Sequence, residues 1–152
     1  MSQRNLPPKI KIYEALGAVA DGRVEIDGIF AYEGRCHSAS VPGRTYTISY
    51  IPDTNIITSN DNGSLHGGYL GYPAIAFLLK IGKLNYHPEF LPYLKGIDWK
   101  GIKQKVNKNH EETLRVLLGV LFQQGVDIDV LVQEVNQIFQ QLSVLALGKP
   151  LI

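Results

Sequence analysis

Hydrophobic positions change their period twice along this chain, from helical to alternating and back to helical. Ile12, Leu16 and Val19 recur at helical spacing with Ala15, Ala18 and Ala20 between them, and Asp21-Gly22 ends the run, so a short first helix is expected. From Arg23 the pattern becomes extended. Val24 and Ile26 alternate with charged neighbours, Asp27-Gly28 offers a tight turn, and the apolar run 29–32 reads as the returning strand.

Pro42-Gly43 marks the next turn, and the β-branched and aromatic residues that follow predict a strand over 44–50. Pro52-Asp53-Thr54-Asn55 has turn chemistry, because proline fixes one torsion while Asp and Asn bond local backbone groups. Ile56-Ile57-Thr58 then returns as a strand. Residues 60–71 are polar and glycine-rich and predict a loop, after which Pro73, favoured in a first helical turn, opens a buried helix over 73–81 that stops at Gly82.

The second half keeps a helical period, interrupted by Pro88 and Pro92 around Phe90, Leu91 and Leu94. Asp98 can cap a helix whose Ile102 and Val106 share a face. Asn109 can cap the next, with Glu112 three residues on and Leu114, Leu117, Leu118 and Leu121 continuing to Gly125. Asp127 or Asp129 starts the last helix, where Leu131, Val135, Ile138, Leu142 and Leu145 form a continuous apolar stripe. That stripe reads as the internal core of an αα-hairpin or as a dimer seam. The expected fold is therefore α+β: a small antiparallel sheet of three to five strands from residues 23–58, packed on the helix at 73–81. A helical half docks on it and ends in the αα-hairpin. We expect one domain over 9–147, with 9–85 carrying helix, hairpins and central helix, 86–147 the helical half, and 1–8 a flexible end.

Composition adds mainly exclusions. With 152 residues, 45% of them hydrophobic and 19% charged, the chain suits one globular core. Fifteen basic and fourteen acidic residues give a formal charge of +1, so no global field favours nucleic acid or an anionic membrane. One cysteine, Cys36, excludes an internal disulfide and a thiolate-rich zinc site. The N-terminal segment lacks the apolar core of a signal peptide and no later run approaches bilayer length, so the expected setting is the cytoplasm, without a membrane partner.

The stretch 44–82, RTYTISYIPDTNIITSNDNGSLHGGYLGYPAIAFLLKIG, resembles the SWIM family of small zinc-binding domains in the order of its parts. Tyr46-Thr47-Ile48 stands for that family's first strand, Ile56-Ile57-Thr58 for its second, and 74–79 for its apolar helix. Ser59 and Asp61 fall where the family has its first pair of ligands, and Gly71 and Pro73 where it has its second. Glycine and proline side chains cannot coordinate, so the resemblance implies a binding module that has lost its zinc. The family's association with nucleic-acid transactions and protein–protein contacts makes those the implied partners.

Several clusters carry candidate chemistry. Asp61, Ser64 and His66 share one loop and are the residue types of an acid, a nucleophile and a base, the setting for a small hydrolase at 60–71. Gly67, Gly68 and Gly71 before Pro73 can leave backbone N–H groups free for an anion. Lys95, Lys100, Lys103, Lys105 and Lys108 are the one concentrated charge, and Trp99 among them could stack on a base. Adjacent Cys36 and His37 would point to opposite faces of a strand, which leaves the thiol inert. The four histidines show no metal-ligand spacing, so no metal and no cofactor is expected.

These readings rank a non-catalytic binding or assembly module first. Its expected partner is another protein, or a second copy docking through Leu131, Val135, Ile138, Leu142 and Leu145. A nucleic-acid-binding protein using Lys95, Trp99, Lys100, Lys103, Lys105 and Lys108 is the alternative. The hydrolase at Asp61, Ser64, His66 and Gly68 is third.

Overall fold

A computed structural model of the chain describes residues 3–28 and 32–150. Helix α1 spans Ile10–Ala20, and the chain then forms four strands, β1 at Val24–Gly28, β2 at Glu33–His37, β3 at Thr45–Ile51 and β4 at Ile56–Ser59. They make one antiparallel meander in the order β1-β2-β3-β4. Helix α2 follows at Tyr72–Lys80, and the second half holds α3 at Leu91–Leu94, α4 at Trp99–Lys105, α5 at His110–Gln123 and α6 at Ile128–Leu145. The expected α+β class, with its sheet-on-helix core and helical second half, is the architecture found.

Register explains which face is buried. Val24 pairs with Cys36 and Cys36 with Tyr46, while Gly34 pairs with Ile48 and Ile48 with Ser59, so alternate residues of four strands share the face turned toward α2. Seven successive residues of α2, Pro73–Leu79 in sequence, are buried. A helix apolar all round needs cover on every side, and α2 has it, with the sheet against one flank and α1 against another. A Cβ on Gly34 would overlap the Phe77 ring, so the glycine is what lets α2 approach β2.

The first hairpin differs from the expectation. Gly28 pairs with Glu33 rather than turning the chain, and the returning strand is Glu33–His37. Of the strand expected at 29–32, residues 29–31 lie outside the described residues, and Tyr32 is a turn residue at φ 45°. The expected loop at 60–71 contains a single wide helical turn, Gly63–Gly67.

Within the segment 1–8, expected as a loose end, residues 4 and 5 are bonded to the rest of the fold. The Arg4 N–H donates to Leu147 O at 2.8 Å, the Asn5 N–H donates to Gly68 O at 3.1 Å, and the Arg4 guanidinium donates to Ile57 O at 2.7 Å. Gly148 runs parallel to Ile56 and covers the β4 edge, exchanging backbone bonds with Asn55 and Ile57. Asn55, at φ 56°, accepts from the Tyr50 hydroxyl and donates to Leu145 O at 2.6 Å, tying the β3–β4 turn to the end of α6. Arg4 and Gly148 are therefore both held against the β4 side of the sheet.

Candidate functional site

The loop after β4 brings two of its three candidate catalytic residues together. Asp61 Oδ1 accepts from Ser59 Oγ at 2.5 Å and from Ser64 Oγ at 2.8 Å, and Asp61 Oδ2 accepts from the Ser64 N–H at 3.1 Å. Ser64 Oγ in turn accepts from the Gly71 N–H at 3.1 Å, and Ser64 O accepts from Arg4. Ser59, Asp61, Ser64 and Arg4 are all buried. His66 is exposed and makes no hydrogen bond to this group. The serine hydroxyl is thus committed to a carboxylate and lacks an imidazole base, which is the wiring of a structural staple and not of a nucleophile. Gly68 sits at φ 74° at the end of the wide turn, where its carbonyl holds Asn5.

The positions that carried the SWIM resemblance have the same structural role. Ser59 and Asp61 bond each other, Gly71 packs on Asp61, and Pro73 is buried in the first turn of α2. Among the described residues no group of three or more His, Cys, Asp or Glu side chains comes together.

The lysine segment divides. Lys95, Lys100, Lys105 and Lys108 are exposed, whereas Lys103 is half-buried and ion-paired with Glu14 of α1. Trp99 is buried and packs against Gly17, so it is not available to stack on a base. The Asp98 carboxylate accepts from the Gly101 N–H at 3.0 Å and caps α4 as its sequence predicts, which turns Trp99 inward and Lys100 outward.

Around Glu14 and Lys103 lies a cleft of about 290 Å³ between α1, the β2–β3 connection, the start of α2 and the α4–α5 junction. Ile10, Val41, Tyr46 and Tyr72 give it an apolar wall, and Lys11, Glu14, Lys103, Lys108 and His110 give it charge. The Tyr46 and Tyr72 rings meet edge to face, with centroids 6.3 Å apart at 82°. Glu14 is 2% exposed, with Lys11 Nζ 3.1 Å from its Oε2 and Lys103 on its Oε1. Burial lowers the Lys103 pKa, with Glu14 opposing that shift and the neighbouring Lys11 and Lys108 adding to it. The His110 ring packs on Tyr69 at 6.1 Å and is likewise pushed down, chiefly by burial and then by Lys11. Of its charged residues, sequence reasoning singled out only Lys103 and Lys108 as binding candidates, since the cleft joins segments remote in the chain.

The stripe expected as core or dimer seam is filled within the chain. Leu131, Val135, Ile138 and Leu142 are buried in the main core and Leu145 is packed against it, with α6 lying on α1 and α5. A seam needs those side chains free, and they are not. The exposed apolar residues of the last two helices are others, notably Phe122 at 71% and Val144 at 82%. Cys36 is buried beneath α2 and its thiol is pushed up to about 12 by burial, while His37 points outward toward Glu25 and Thr45. Among the described residues no helix is long and apolar enough to cross a membrane.

No curated protein and no solved structure matches the chain. Nothing in the comparisons supports a SWIM-type domain at 44–82, and the family match found runs through that stretch and beyond it on both sides. The match is to the family of the uncharacterised conserved protein UCP014422, it covers residues 4–148, and the chain belongs to that family.

Proposed function

We propose that the protein is a non-catalytic binding module whose ligand site is the cleft around Glu14 and Lys103. The observation that carries this reading is the convergence of Lys11 and Lys103 on one buried carboxylate beside an apolar wall, in a cleft that Lys108 also lines. Gathering cations in a half-buried place costs desolvation and mutual repulsion, and such costs are concentrated where function requires them. A volume of about 290 Å³ lies at the small end of ligand clefts. Of the set that suggested hydrolysis, by contrast, Asp61 and Ser64 are engaged in buried bonds and His66 stands apart from them.

The test is a thermal-shift screen with an unbiased small-molecule library on the wild-type chain and on Ser40→Trp, whose indole would fill the cleft. Ligands that bind the folded state raise the melting temperature by mass action. Hits that vanish in Ser40→Trp support the reading. Hits that persist there place binding elsewhere.

A second reading keeps nucleic acid as the partner, favoured by the exposed Lys95, Lys100, Lys105 and Lys108. Without an exposed indole it rests on phosphate contacts alone. Affinity for single- or double-stranded probes should then fall steeply as salt rises, and a flat salt response removes it. Assembly with a protein partner or a second copy would use surfaces other than the filled stripe, with Phe122 and Val144 as its exposed apolar anchors.

A further inference from the structure

Resting on the cleft as the ligand site, we infer that its ligand is a small organic anion: one flat apolar ring bearing a phosphate or carboxylate. The charge balance comes first. Three lysines line the cleft against the single carboxylate of Glu14, an excess of two positive charges, and among the described residues Lys108 forms no ion pair. Lys103 pairs with one oxygen of Glu14 and Lys11 lies 3.1 Å from the other, so two ammonium groups flank that carboxylate and the net field of the cleft is positive.

Hydrogen bonding points the same way. Ser38 Oγ accepts from the Ser40 N–H at 3.2 Å and from the Val41 N–H at 3.1 Å, which occupies both lone pairs and leaves its hydroxyl proton to be donated. The three ammonium groups are donors only. Three ammonium groups and the Ser38 hydroxyl thus line the cleft as donors, and an acceptor-rich oxyanion can take bonds from all of them where an amine cannot.

Shape supplies the rest of the ligand. Tyr46 and Tyr72 form a corner of two rings at 82°, continued by Ile10 and Val41, and a flat ring set there would face one tyrosine and meet the edge of the other. A cleft of about 290 Å³ has room for one ring and one acidic group.

Calorimetry on the full chain at fixed ionic strength tests this with four probes: phenyl phosphate, benzoate, inorganic phosphate and benzyl alcohol. The expected result is that phenyl phosphate or benzoate binds at least tenfold more tightly than inorganic phosphate and than benzyl alcohol, the tighter of the two naming the acid. Lys108→Ala, an exposed position outside the core, should weaken that probe three- to tenfold while leaving the melting temperature unchanged. Benzyl alcohol binding as tightly as the acids overturns the anion, and inorganic phosphate matching phenyl phosphate overturns the ring. Heat from none of the four overturns the ligand class altogether. Library hits lost in Ser40→Trp would then leave the cleft standing as a site without it.

Discussion

Gly71 is held to glycine by Asp61, because a Cβ at Gly71 would overlap the Asp61 carboxylate. The Gly71 N–H donates to Ser64 Oγ, and Ser64 donates to that same carboxylate, so the start of α2 and the end of β4 close on each other with no room for a methyl group. Gly71→Ala is predicted to lower stability by about 1–3 kcal/mol in urea unfolding, the cost of overpacking a tight site. Gly119 is the contrasting case, in mid-α5 with nothing near its missing Cβ. Gly119→Ala should stabilise by about 0.5–1 kcal/mol.

Asp61→Asn keeps the shape of the staple and removes its charge. Asp61 accepts three bonds, two of them from buried serine hydroxyls. Hydrogen bonds to a charged group contribute about 1.5–3 kcal/mol, and a loss of that order in unfolding free energy is expected. Hydrogen exchange should accelerate at Arg4 and Asn5, whose segment the network anchors. Unchanged protection there would contradict the role of the staple in docking the N-terminal segment.

Cys36 offers a chemical probe of opening. Its side chain is fully buried and its thiol is pushed up to about 12, chiefly by burial. At pH 8 the folded protein should react with an aromatic disulfide reagent orders of magnitude more slowly than the urea-unfolded chain. The slow rate should increase with added denaturant, reporting the equilibrium that exposes β2.

A histidine ties the segment before α3 to α6. Glu134, buried on α6, accepts from the His87 N–H at 2.5 Å and lies 2.8 Å from His87 Nδ1. The hydrogen bond to Glu134 and then its charge raise the His87 pKa. A raised folded value means that the stabilisation is fully present below the ordinary imidazole value of about 6.5 and is lost as pH climbs through the folded value. Melting temperature should therefore fall across that window, and His87→Gln should flatten the fall. An unchanged slope in the variant would assign the pH dependence to other groups.

Legibility in the sequence follows how local each cause is. Asp98 and Asn109 cap α4 and α5 where their spacing predicts, and Asp127, one of the two starts read for α6, caps it, because a cap bonds a backbone N–H three residues away. The β3–β4 hairpin and the buried α2 were equally plain, set by side-chain type alone. Strand β2 was not, since Glu33-Gly34-Arg35-Cys36-His37 lacks β-branched residues and its Gly34 is there for Phe77, forty-three residues on. The Asp61 staple was visible only as three suggestive residue types, and which of them met depended on Arg4 and Gly71. The cleft was least legible. Glu14 looks like an ordinary charged position on an amphipathic helix, and only the folded chain sets it against Lys103.

The central claim is that the cleft between α1, α4, α5 and the β2–β3 connection receives an anionic ligand. A backbone amide NMR titration of the wild-type chain with phenyl phosphate tests it most directly. Saturable shifts confined to Ser38, Ala39, Ser40, Val41, Lys103 and His110 are the predicted result. Shifts spread over the exposed Lys95, Lys100 and Lys105 with these residues unmoved would contradict it.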